Sequence, residues 1–228
     1  MQTKPNHVLG LPALGARANN RWETDWLQKY RPESVKDCIL PSRLKRSLEK
    51  MASKPFVHNL IFHGSYGVGK TAGANALCRD AGCEPCLING SVENGIDDLR
   101  RLEPFVCTRS FDGSRRVVLI DEADRLSREY QDGLRGLIEE LSSNCSFIFT
   151  TNDLSKISGA LQSRCLAMDF GCSPEEIPFL KEEFAARLNQ ILAEEQASYQ
   201  PKVLAEIIAA GFPDFRQILK QVQLECGC

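Results

Sequence analysis

The stretch GSYGVGKT, Gly64 to Thr71, narrows what this chain can fold into more than any other. It follows Leu60, Ile61 and Phe62, an apolar run that reads as a buried strand, and it precedes a helical pattern. A G-x-x-x-x-G-K-T loop in that position aims several amide N–H groups into one concavity, and the helix N-terminus adds positive potential. Such a cradle suits a polyphosphate. Gly64, Gly67 and Gly69 permit the backbone path, Lys70 is expected to reach the β and γ phosphates, and Thr71 to hold Mg²⁺. A glycine-rich turn that matches by chance would lack the strand before it and the helix after it.

VVLIDEAD, Val117 to Asp124, supplies the second half of a hydrolytic site. Its apolar residues form a central strand whose C-terminal end delivers Asp121 to the metal and Glu122 to a water near the γ phosphate. Strand ends are where α/β sheets place their ligands. Two adjacent carboxylates could also mark a solvated turn, but beside the phosphate loop they specify a nucleoside triphosphate hydrolase.

The remaining pattern gives the architecture. NLIF (59–62), CLIN (86–89), RVVLID (116–121), SFIFTT (146–151) and LAMDF (166–170) read as buried parallel strands alternating with helices, hence a three-layer α/β domain. After Gly171 the period becomes helical. Ile177, Leu180, Phe184, Leu188, Ile191 and Leu192 mark one face, Val203, Leu204, Ile207 and Ile208 a second, and Phe215, Ile218, Leu219 and Val222 a third. The expected division is a flexible N-terminal arm over residues 1–20, an α/β core over 21–171 and a small helical domain over 172–228.

Composition excludes more than it assigns. With 43 % apolar and 25 % charged residues the chain reads as soluble and globular, and its formal net charge of −2 gives no global case for nucleic-acid binding. No stretch approaches the roughly 20 apolar residues of a membrane span, and the N-terminus lacks the apolar centre of a signal peptide. The expectation is a cytoplasmic protein without a membrane partner. Ten cysteines then read as reduced thiols. Cys78, Cys83 and Cys86 are close enough in sequence to share a zinc, but paired CxxC spacing is missing, which favours small buried thiols.

Three later stretches add polar groups. IFTTND ends a strand with Asn152, placed to orient an attacking water; LQSRC offers Arg164, a cation for a neighbouring subunit's γ phosphate; FPDFR puts Arg216 on the last helix, within reach of the phosphates. The letters DEAD also occur in RNA helicases. Those enzymes close a second α/β domain over the nucleotide, and the segment after Gly171 is too short and too helical for one.

With these motifs the sequence resembles the AAA+ clamp-loader ATPases, replication factor C and its phage counterparts. KYRPESVKDCILP (Lys29 to Pro41) is similar to the family's N-terminal signature, and SSNCSFIFTTND, LQSRC and FPDFR are most like T-even phage members. The resemblance covers about Trp26 to Gln221. It implies an AAA+ P-loop core with a parallel sheet flanked by helices, a small helical lid, and ATP with Mg²⁺ as cofactors. It also implies ATP-driven opening of a sliding clamp and its loading onto primer–template DNA, in company with other loader subunits. By the same resemblance Leu27, Gln28, Lys29, Tyr30 and Ile39 line the adenine pocket, and Gly67, Val68, Gly69, Lys70, Thr71 and Ala72 hold the phosphates. Asn152 is then a first sensor, Arg164 an arginine finger and Arg216 a second sensor.

The chain also departs from the family pattern. Ser65 and Tyr66 stand where Pro-Pro is common, Asn94 where a basic residue usually faces DNA, and Gly136 where a second consecutive arginine often follows Arg135. The remaining phosphate-contact candidates are Arg100, Arg101, Arg109 and Arg128, each equally readable as a solvated arginine. The chain ends twelve residues after Arg216, too few for the family's collar domain. Besides a clamp-loader subunit, the sequence therefore admits an AAA+ switch or adaptor in another DNA transaction, or a nucleotide-binding module without turnover.

Overall fold

A computed structural model of the protein describes residues 25–53, 58–108, 115–140 and 144–226. The expected arm and Arg109 lie outside the described residues. Five parallel strands form one sheet: β1 (Leu60–His63), β2 (Pro85–Asn89), β3 (Arg116–Asp121), β4 (Cys145–Thr151) and β5 (Leu166–Asp169). Their order is β2-β3-β4-β1-β5. Each lies within one residue of its apolar run. The expectation of buried strands holds for β1, β3 and β4, whereas β2 and β5, at the two edges of the sheet, leave Leu87 and Leu166 about half exposed.

Side-chain alternation sorts the sheet into two cores. Leu60 and Phe62 of β1, Val117 and Leu119 of β3 and Ile148 of β4 pack with α2 (Ser42–Ala52) and α3 (Lys70–Asp80). Their neighbours Ile61, Val118, Ile120, Phe147 and Phe149 pack on the opposite face with α4 (Ile96–Cys107) and α5 (Arg128–Glu140). This is the expected three-layer arrangement. It also parts the cysteines: Cys78 and Cys83 belong with the first core, Cys86 with the second. Burial pushes the Cys78 thiol up to about 12, as expected for an inert side chain. Among the described residues no helix is long and apolar enough to cross a membrane.

On α5 the buried Gln131 fastens the second layer to the chain after β4. Its amide donates to the Leu126 and Lys156 carbonyls at 3.3 and 3.2 Å, and its carbonyl accepts from the Ser158 N–H at 2.8 Å.

The third core is helical: Phe184, Leu188, Ile191 and Leu192 of α7 (Ile177–Glu194), Leu204, Ile207 and Ile208 of α8 (Pro201–Gly211), and Ile218, Leu219 and Val222 of α9 (Phe215–Glu225). Val203, expected on the buried face of α8, is instead 36 % exposed, because one residue before Leu204 turns it some 100° away. A buried Trp26 joins this cluster from α1 (Trp26–Lys29), although the expected boundary at residue 171 groups it with the sheet. The Trp26 N–H donates to Gln223 at 3.3 Å, and Lys29 Nζ and Tyr30 OH both donate to Glu195 Oε1, at 2.6 and 2.5 Å. The start of the described chain is thus fastened to the C-terminal helices. A short α6 (Gly159–Gln162) leads into β5.

Candidate nucleotide-binding site

The loop after β1 follows its glycines. Gly64, Gly67 and Gly69 have φ of 145°, 72° and 89°, and Gly69 is the left-handed residue that admits α3. Gly67 has a second reason to lack a side chain: a Cβ there would lie 1.8 Å from Asp214 Oδ1. The C-terminal helices rest against the loop at this point, with the Phe215 N–H donating to the Gly67 carbonyl at 3.2 Å.

Lys70 opens α3 and is buried. Its ammonium donates to the Gly64 and Ser65 carbonyls at 2.8 and 2.6 Å and to Asn152 Oδ1 at 2.8 Å. Burial pushes its pKa down to about 8, against the opposing pull of Asp121 and Asp124. The Thr71 hydroxyl donates to Asp121 Oδ1 at 2.8 Å. Three motifs far apart in sequence therefore meet through two hydrogen bonds.

Strand periodicity explains the meeting. Asp121 continues the Val117, Leu119 face of β3, and Thr150 and Asn152 continue the Ile148 side of β4; this is the face that packs on α3. The Thr150 hydroxyl donates to Asp121 Oδ1, and its oxygen accepts from the Glu122 N–H at 3.3 Å. Alternation ends at Glu122, whose φ of 55° and ψ of 44° put a non-glycine residue in the left-handed region. Such strain concentrates at functional positions. Asp124 accepts from the Asn152 N–H and the Thr151 hydroxyl, each at 3.4 Å.

These groups open into a cavity of about 460 Å³, well within the range of small-molecule sites. Loop residues Gly67, Gly69, Lys70, Thr71 and Ala72 line it beside Asp121, Glu122 and Asn152. Leu27, Gln28, Tyr30 and Ile39 border it from the N-terminal segment, and Phe184, Phe215 and Arg216 from the C-terminal helices. Two expected contact residues do not line it. Lys29 is engaged with Glu195, and Val68, only 5 % exposed, turns into the first core. The hard oxygens of Thr71 and Asp121, side by side next to the phosphate cradle, fit Mg²⁺.

Arg31 and Arg187 also line the cavity, and sequence reading missed both. Arg31 belongs to KYRP, whose basic letters were the available signal. Neither Arg31 nor Arg216 donates a side-chain hydrogen bond to any described residue, and burial lowers the Arg31 pKa. Two such guanidinium groups lining one cavity favour an anionic guest.

Arg164 lies away from the cavity, after α6. Its Nε donates to Glu139 Oε1 at 2.7 Å, Nη2 donates to the same oxygen, and Nη1 donates to the Ala160 carbonyl at 2.7 Å. Arg100 and Arg101 pair with Asp97 and Asp98 on the exposed side of α4, and Arg128 begins α5.

Residues 60–170 match the family model "ATPase family associated with various cellular activities (AAA)". The chain is 39 % identical over 201 residues to the sliding-clamp-loader large subunit of Enterobacteria phage T4, an alignment covering 86 % of this chain and 62 % of that protein. It is 32 % identical over 216 residues to replication factor C subunit 5 of Mus musculus, covering 91 % and 61 %. It thus spans about three fifths of the length of these relatives. The Thermotoga maritima RuvB Holliday junction branch migration motor shares the fold, with a TM-score of 0.68 at 18 % identity over 86 % of this chain and 64 % of that one.

Proposed function

We propose that the chain is an AAA ATPase and a sliding-clamp-loader subunit of DNA replication, using ATP to open a clamp and load it on primer–template DNA, a reading supported by the family match over residues 60–170 and the likeness to clamp-loader relatives. The carrying observation is the joining of Lys70 to Asn152 and of Thr71 to Asp121 in one cavity. The names of the relatives favour a loader over a switch in another DNA transaction.

In this reading Lys70 exchanges its carbonyl partners for the β and γ phosphates, and Thr71 with Asp121 would hold Mg²⁺. Mg²⁺ bound there would offset charge on the phosphate oxygens. Glu122 polarises the attacking water, and Asn152 holds it in line. Arg216 meets the phosphates from the lid, while apolar Leu27, Ile39 and Phe184 receive the base. Arg164, outside its own cavity, serves a neighbouring subunit. Residues 21–171 act as the ATPase core and 172–228 as the lid, with Trp26 tying the N-terminal segment to lid motion.

The test is steady-state ATP hydrolysis with and without the sliding clamp and primer–template DNA, alongside capture of the chain on immobilised clamp. Stimulated hydrolysis and ATP-dependent capture support the reading. Hydrolysis indifferent to both partners, with no capture, contradicts it.

A further inference from the structure

Thr150 is almost wholly buried, yet its hydroxyl serves two groups of the hydrolytic site at once. As a donor it meets Asp121 Oδ1, the same oxygen that receives the Thr71 hydroxyl. As an acceptor it takes the Glu122 N–H at 3.3 Å, at a residue held in the left-handed region. Threonine in a strand ordinarily reads as a β-former, and a valine would satisfy the packing equally well. Neither explains a hydroxyl directed at a carboxylate.

We propose that Thr150 is a positioning residue: a single hydroxyl on β4 fixes the direction of the Asp121 carboxylate and anchors the backbone turn that presents Glu122. The register favours this. Ile120 pairs with Phe149, so Asp121 and Thr150 are the next residues on adjacent strands and share a face. Without the hydroxyl, Asp121 keeps only Thr71 as a side-chain donor among the described residues, and Thr71 is the residue expected to turn toward the metal. Asp121 then loses the donor that stays with it when Mg²⁺ enters, and the Glu122 N–H loses its acceptor. Thr150 lines the cavity, but its hydroxyl is engaged by Asp121 and the Glu122 N–H, so metal-free nucleotide binding is expected to depend on it little.

The proposal rests on the nucleotide-hydrolysis reading and deepens it. Thr150→Val keeps shape and removes the hydroxyl; Thr150→Ser keeps the hydroxyl. Affinity for a fluorescent ATP analogue is measured by titration in Mg²⁺ and in EDTA, together with kcat, KM and the thermal midpoint. The valine variant is expected to bind as wild type in EDTA, to lose about tenfold of the gain that Mg²⁺ brings, and to show kcat down about 10- to 100-fold with KM for ATP little changed. Serine is expected to recover most of both losses. A valine variant that keeps the Mg²⁺ gain overturns the proposal, as does a serine variant as impaired as valine, since loss of fit alone would then suffice. A wild-type chain that binds ATP with a Mg²⁺ gain but does not hydrolyse it refutes the hydrolysis reading instead, and the binding ratio still decides the role of Thr150.

Discussion

Helix α5 carries two glycines three residues apart, and alanine at each should move stability in opposite directions. Glycine inside a helix costs about 0.5–1 kcal/mol relative to alanine, chiefly through the freedom of the unfolded chain. At Gly136 a Cβ would meet nothing within 4 Å, so Gly136→Ala should gain that amount and raise the thermal midpoint by about 1–4 °C. At Gly133 a Cβ would stand 2.1 Å from Leu99 Cδ2 and 3.7 Å from Ile96 Cδ1. Leu99 is a buried contact between α4 and α5, and forcing a methyl into such packing costs about 1–3 kcal/mol. The helix gain offsets part of this, leaving a net loss of up to about 2.5 kcal/mol. The helix contribution cancels between the two variants, so their difference isolates the packing cost and should separate their midpoints by about 2–12 °C. Melts followed by circular dichroism under one buffer give the comparison. Equal midpoints, or a Gly136→Ala variant less stable than wild type, would refute the placement of α4 against α5.

The buried Lys70 should make ATP binding depend on pH. Its pKa of about 8 in the free chain lies below the usual lysine value, so raising the pH removes the charge the phosphates need; affinity should fall about tenfold from pH 7 to pH 9, with proton uptake on binding at pH 9. Calorimetry in buffers of different ionisation enthalpy reads both, and a flat affinity with no uptake would argue against the assignment. Trp26→Ala should cost about 3–5 kcal/mol and loosen the C-terminal helices first, visible as early hydrogen exchange in α7 and α9; uniform exchange across the sheet and the helices would count against it. Arg164→Ala should bind ATP normally, lose stimulated hydrolysis, and regain part of it when mixed with Lys70→Ala chains, because an intact arginine then faces an intact pocket. Absence of recovery in well-mixed assemblies would make Arg164 a structural partner of Glu139 only.

The sheet and the phosphate loop were legible because their signals are local. A fully apolar run bounded by polar turns marks its own strand, and glycine, lysine and threonine at fixed spacing mark the cradle between β1 and α3. Trp26 was not legible as part of the C-terminal helical core, since α1 is a single turn and offers no period from which to infer a face. Lys29 and Val68 failed to line the cavity for a related reason. Resemblance carries over a segment, whereas the direction of each side chain is set by packing, here Glu195 for Lys29 and the first core for Val68. Thr150 was hidden in a run of strand-forming letters, and only the strand order, which sets β4 beside β3, gives its hydroxyl a carboxylate to meet.

The central claim is that Lys70 binds the nucleotide while Glu122 drives its hydrolysis, and one paired measurement reaches it directly. Calorimetric ATP binding and steady-state hydrolysis are recorded for wild type, Lys70→Ala and Glu122→Gln. The glutamine variant should bind within about threefold of wild type and hydrolyse at least about 100-fold more slowly, since only water polarisation is removed; the Lys70→Ala variant should not bind. Hydrolysis at the wild-type rate by Glu122→Gln, or unchanged ATP affinity in Lys70→Ala, would contradict the account.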